Sequence, residues 1–267
     1  MTSSDPLVVD SISVQFGGLR ALDLVSLRVP ERTIVGLIGP NGAGKTTLFN
    51  SVSGLVRPVS GRVLLFGEDV TSQPVHERAR LGVGRTFQRL ELFGSLSVLE
   101  NLVVGYETHQ RRGGLLSDLL ALPATVDTRA EAEKRARAVL DQLEIAQYAD
   151  TRAGDLPVGL ARLVELGRAL CTDPKLLILD EPSSGLREVE SARLDELLRE
   201  SRDANGVSVL VVEHNMRFVL GLCEYIYVLD FGRVLAEGTP SEIRANAQVR
   251  AAYLGEGIDS NVGAARA

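Results

Sequence analysis

The sequence predicts an α/β fold, a strand-and-helix core into which a helix-rich segment is inserted. Three observations carry this. Short β-branched runs stand near both ends of the chain, strand-like texture vanishes between about residues 89 and 170, and a glycine-rich loop joins a strand to a helix at 39–46. At 267 residues the chain is long enough for one large or two smaller domains with a proper core.

Residues 7–29 alternate and break like strands, with a turn at Phe16-Gly17-Gly18. Thr33–Ile38 is a β-branched run ending in Gly39-Pro40 and reads as a buried strand. Residues 45–54 look helical and stop at Gly54, and 61–66 suggest a strand closed by Gly67. From Arg89 helical patterns dominate. The segment Thr128–Leu143 has a charged face and apolar Ala136, Val139, Leu140 and Leu143. The run at 111–114 (RRGG) reads as a solvated loop. After Asp173-Pro174 the β pattern returns at 176–180, 207–214 and 225–230, and from Ser241 a short helix with a frayed end is expected. The expected organisation is 1–88 and 171–240 as two parts of the core, 89–170 as the helical subdomain, and 241–267 as a C-terminal helix and tail.

Hydrophobic residues make up 45% and charged residues 24%, ordinary for a globular protein. A net charge of −6 argues against broad nucleic-acid binding, because phosphate backbones select basic surfaces. Cys171 and Cys223 are too few for a disulfide framework and read as buried apolar residues in a reducing compartment. No apolar run approaches the ~18 residues of a membrane span, and the start, MTSSDPLVVDS, lacks the basic and apolar regions of a secretion signal. The expected location is the cytoplasm, with any membrane role exercised through a partner.

The segment Gly39-Pro40-Asn41-Gly42-Ala43-Gly44-Lys45-Thr46 fits G-x-x-x-x-G-K-[ST] and lies between a strand and a helix. Its glycines let backbone N–H groups turn inward around phosphate oxygens, and the helix N-terminus adds its dipole. Lys45 is expected at the β- and γ-phosphates, the Thr46 hydroxyl at Mg²⁺, and Thr47 at the α-phosphate. Downstream, the hydrophobic run at 176–180 ends in Asp180 and Glu181. Asp180 suits the second half of a Mg²⁺ site, and Glu181 suits a base for the attacking water. The alternative is that the two carboxylates cap the following helix.

With these motifs the sequence resembles the ATP-binding subunits of ABC transporters over about residues 7–255. The resemblance implies a RecA-like P-loop NTPase core with a mostly parallel sheet, an antiparallel β part and an inserted α-helical subdomain. It places Phe16, 23 residues before Gly39, as the ring that stacks on adenine. Gln88, in GRTFQ, matches the glutamine that meets Mg²⁺, the attacking water and the membrane partner. His214, 33 residues after Glu181, matches the histidine that contacts the γ-phosphate. The implied catalytic set is Lys45, Gln88, Glu181 and His214, with Thr46, Gln88 and Asp180 on the metal.

Such subunits work as head-to-tail pairs in which one chain's phosphate loop faces the other's LSGGQ-type signature. Here that segment is Leu156-Pro157-Val158-Gly159-Leu160, with Pro157 in place of the serine and Leu160 in place of the glutamine. Arg187 also stands where the following D-loop usually has Asp or Asn. The departure implies a heterodimer with a second ATPase subunit bearing an intact signature. Stretches at 16–22, 84–88, 96–102 and 213–240 resemble the branched-chain amino-acid importer group, whose near relatives carry other small amides or export lipopolysaccharide. The implied partners are transmembrane permease subunits and, indirectly, a solute-binding protein, with no nucleic acid. The implied location is the inner face of the cell membrane. Two other readings stand beside this one: a non-transport ABC ATPase, and a regulatory ATP-binding subunit with little hydrolysis of its own.

Overall fold

A computed structural model describes residues 5–86, 90–110 and 124–253. In chain order the strands are β1 (Leu7–Phe16), β2 (Leu19–Val29), β3 (Ile34–Ile38), β4 (Ser60–Leu65), β5 (Glu68–Asp69), β6 (Val83–Arg85), β7 (Leu176–Asp180), β8 (Ser208–Val212), β9 (Tyr225–Asp230) and β10 (Arg233–Gly238). The helices are α1 (Lys45–Ser53), α2 (Val75–Arg80), α3 (Val98–Gln110), α4 (Ala124–Gln142), α5 (Val158–Leu170), α6 (Glu188–Asn205), α7 (Met216–Leu222), α8 (Pro240–Ala245) and α9 (Ala247–Tyr253). Contacts divide the chain into two compact units, Met1–Gln73 with Leu210–Ala267, and Pro74–Val209.

In the first unit β2, β1, β4 and β5 form an antiparallel sheet in that order. β3 runs parallel to β9, from Val35 beside Tyr225 to Ile38 beside Val228. β9 turns back antiparallel into β10. All five residues of β3 are buried, as its unbroken apolar run predicts. Gly36 sits in the middle of that strand for a packing reason. A Cβ there would lie 2.6 Å from Val219 Cγ1 and 3.0 Å from Cys223 Sγ, so glycine lets α7 lie directly on β3. α1 ends as expected at Gly54, whose left-handed φ of 85° turns its N–H onto the Asn50 and Ser51 carbonyls.

In the second unit β6 pairs parallel with β7, whose five residues are all buried. α5 buries Leu163, Val164, Leu166 and Leu170 along one stripe. Several elements escaped the texture reading. β6 is three residues long, and half of α6 is charged, with buried leucines only at 194, 197 and 198. The strand expected over 207–214 stops at Val212, where the Glu213 N–H still reaches the Leu37 carbonyl but its side chain turns to the next two amides. The expected C-terminal helix is two helices, because Asn246 ends α8 and its side-chain oxygen caps α9. The RRGG loop and the end of the tail lie outside the described residues.

Candidate nucleotide site

The phosphate loop is built by close approaches that exclude side chains. A Cβ on Gly39 would stand 2.3 Å from the Leu229 carbonyl oxygen. Gly44 has φ 104°, and a Cβ there would stand 2.8 Å from the Ala21 carbonyl. Gly42 differs. Its φ is 82°, yet a Cβ would meet nothing within 4 Å, so this face of the loop is open. The first two glycines seat the loop on its own unit, and the third leaves room for a ligand against the backbone.

Lys45 is buried, and its Nζ donates to the carbonyls of Gly39 at 2.6 Å and Pro40 at 3.0 Å. The cation is thus held over the loop rather than out in solvent. Gly42, Gly44, Lys45, Thr46 and Thr47 line one cavity of about 380 Å³, and Phe16 lines the same cavity with half of its surface exposed. An aromatic ring left half in solvent at a cavity wall is what base stacking requires, and burial does not explain it. Pro40, Asn41 and Ala43 shape the turn between, with the Ala43 N–H donating to the Pro40 carbonyl at 3.2 Å.

His214 is exposed and follows β8 in the same unit, outside the residues lining that cavity. Behind it lies a residue that sequence reasoning missed. Glu213 is completely buried, and its carboxylate accepts the His214 N–H at 3.0 Å and the Asn215 N–H at 3.3 Å. This fixes the backbone from which the imidazole projects. A charged residue closing an apolar strand directly before the histidine was the available signal.

In the second unit β7 ends in Asp180, which is only 4% exposed. Glu181 follows with φ 49°. A non-glycine residue in the left-handed region is uncommon and recurs at functional positions, where it re-aims a side chain. The signature segment forms a helix as expected, with Pro157 as the residue before the first turn. A Cβ on Gly159 would lie 2.3 Å from a Glu190 carboxylate oxygen, so a larger residue would have to displace that carboxylate. Arg187 grips the same carboxylate through Nη2 at 2.6 Å and Nε at 3.0 Å. That guanidinium holds Glu190 well below the usual carboxylate range. Gln88 lies outside the described residues.

The donor chemistry fits Mg²⁺ held together with phosphate. Among the described residues no three His, Cys, Asp or Glu side chains gather to hold a metal by themselves. One hydroxyl, from Thr46 beside the phosphate loop, is the kind of sparse protein contribution that Mg²⁺ uses when waters and substrate oxygens complete its shell. Among the described residues no helix is long and apolar enough to cross a membrane.

Comparison with known proteins agrees with this chemistry. Residues 22–184 match the family described as ABC transporter, and residues 233–259 match the branched-chain amino acid ATP-binding cassette transporter family. The chain is 43% identical over 254 residues to the high-affinity branched-chain amino acid transport ATP-binding protein LivG of Salmonella typhimurium, covering 95% of this chain and 99% of that one. It is 40% identical over 250 residues to the corresponding protein BraF of Pseudomonas aeruginosa, covering 94% and 98%. A solved ATP-binding cassette of an ABC transporter in its ADP conformation superposes with a TM-score of 0.81 at 31% identity, covering 94% and 99%.

Proposed function

This chain belongs to the ABC transporter family as an ATP-binding subunit, and on that premise we propose that it powers the import of branched-chain or closely related amino acids, or small amides. Its activity is ATP hydrolysis coupled to transport, and the open-faced phosphate loop with Lys45 held over it is the observation that carries the reading. Lys45 and the loop amides balance the charge of the β- and γ-phosphates, and Phe16 stacks on the base. Thr46, Asp180 and Gln88 would hold Mg²⁺, which would neutralise charge on the phosphate oxygens. Glu181 takes a proton from the attacking water. His214, steadied by Glu213, meets the γ-phosphate.

The subunit acts from the inner face of the membrane, docked on permease subunits. The surface from about residue 89 to 102 is the docking site for a permease's cytoplasmic helix. Leu90 and Phe93 are exposed there, with the Arg168 guanidinium 5.7 Å from the Phe93 ring centroid. The ATP-binding partner is a different chain with an intact signature, because Pro157 and Leu160 here lack the hydroxyl and amide that would meet the γ-phosphate. A solute-binding protein delivers the cargo to the permease and does not touch this chain.

The test is affinity purification of the tagged chain from membranes, followed by uptake in proteoliposomes. Recovery with integral membrane proteins and ATP-driven uptake of leucine, isoleucine or valine supports the proposal. Recovery with DNA or ribosomes, and no membrane protein, contradicts it.

A further inference from the structure

We propose that Phe231, at the tip of the β9–β10 hairpin, is a second aromatic contact for the nucleotide base alongside Phe16. The inference rests on the reading that the nucleotide occupies the phosphate-loop cavity, and it identifies what grips the base there. Neither packing nor turn geometry asks for phenylalanine at this position. Its side chain is 89% exposed, the most exposed large apolar residue among those described. Phe231 and Gly232 form a two-residue turn with φ values of 42° and 76°. Two positive φ values in such a turn favour Asn-Gly or Asp-Gly, and a bulky residue at the first position is strained.

The strained tip is nonetheless held in place by the nucleotide site. The Gly232 N–H donates to the Ala43 carbonyl of the phosphate loop at 2.9 Å, and the Asp23 N–H donates to the Gly232 carbonyl at 2.8 Å. A Cβ on Gly232 would stand 2.6 Å from the Ala21 carbonyl, so the turn lies directly on the neighbouring strand. Arg233 forms an ion pair with Asp23, which Arg20 also meets at 2.7 Å. The ring that this scaffold presents lines the same cavity of about 380 Å³ as Phe16, Lys45 and Thr47. A rigidly mounted ring standing in water beside phosphate-binding groups matches a flat, π-faced ligand such as a purine. Because the tip is bonded to the loop itself, base and phosphates are read by one connected piece of backbone.

The experiment compares binding of MgATP, MgADP and inorganic tripolyphosphate by the full-length chain and by Phe231→Asn and Phe231→Tyr. Phe231→Asn should weaken both nucleotides by about fivefold to tenfold, the worth of one aromatic contact. It should leave tripolyphosphate unchanged and leave the melting temperature equal or higher, because asparagine suits the turn. Phe231→Tyr should restore nucleotide binding. The chain has no tryptophan, so Phe231→Trp supplies a lone reporter whose emission should change with ATP and stay constant with tripolyphosphate. Wild-type affinity for ATP in Phe231→Asn overturns the inference, as does equal weakening of ATP and tripolyphosphate. A wild-type chain that binds neither nucleotide nor tripolyphosphate overturns the reading of the loop itself, and the inference with it.

Discussion

The Nζ of Lys45 donates to the carbonyl oxygen of Gly39 at 2.6 Å, so the last residue of the phosphate loop closes back on the first. The ammonium is thereby held against the loop proposed to carry the phosphates. Lys45→Ala should therefore abolish tight MgATP binding. At about 1.5–3 kcal/mol for each charge-assisted hydrogen bond, contacts to two phosphates amount to on the order of 10²-fold or more in affinity. Titration calorimetry checks this, and a wild-type dissociation constant would show that the loop does something else.

Glu181→Gln should keep ATP binding and slow hydrolysis by roughly 10²-fold or more. The left-handed backbone at Glu181 adds a second arm. Glu181→Gly relieves that strain, so it should be no less stable than the wild type while being equally inactive. A Glu181→Gly variant that melts lower with normal turnover would make Glu181 a structural residue.

Gly159→Ala should destabilise the second unit by about 0.5–1.5 kcal/mol, the worth of the Arg187–Glu190 hydrogen bond that a displaced carboxylate gives up. The added methyl falls on the Glu190 carboxylate, which Arg187 holds in place. The same change in a Glu190→Ala background should cost much less, since the two sites are in contact and couple. Equal costs in both backgrounds, read from denaturant melts, would exclude the clash.

Burial pushes the Cys171 thiol up to about 12. A thiol of the unfolded chain ionises near about 8.5. Below that pH both states keep the proton and nothing changes. Between about 8.5 and 12 the unfolded chain ionises first, so this residue lowers stability as pH rises through that window. At pH 8 native Cys171 should resist iodoacetamide and react once the chain is unfolded. Rapid alkylation of the native protein would contradict this burial.

The parts of the fold and site legible in the sequence are those where one physical requirement dominates. The apolar runs at 34–38 and 176–180 have no other reading than buried strands, and the spacing from Gly39 to Lys45 leaves few alternatives to a phosphate loop. Glu213 was overlooked because its one mark in the sequence is a charge closing an apolar strand, while its partners are backbone amides of the next two residues that no spacing rule marks. Phe231 was hidden for a different reason. In sequence it is one aromatic residue in a hairpin, and nothing there shows that the Gly232 N–H bonds to Ala43 of the loop 189 residues earlier. The Gly159–Glu190 approach likewise joins two helices whose sequences carry no sign of each other.

We propose that this chain supplies the working catalytic residues of an asymmetric pair, with its own signature segment serving the weaker site. The direct measurement is ATP turnover in the reconstituted complex with the catalytic glutamate replaced by glutamine in one subunit at a time. Glu181→Gln in this chain should stop most turnover, while the matching change in the partner should matter far less. Equal losses from the two changes, or full activity from this chain without a partner, would contradict the account and show that Pro157 and Leu160 are tolerated.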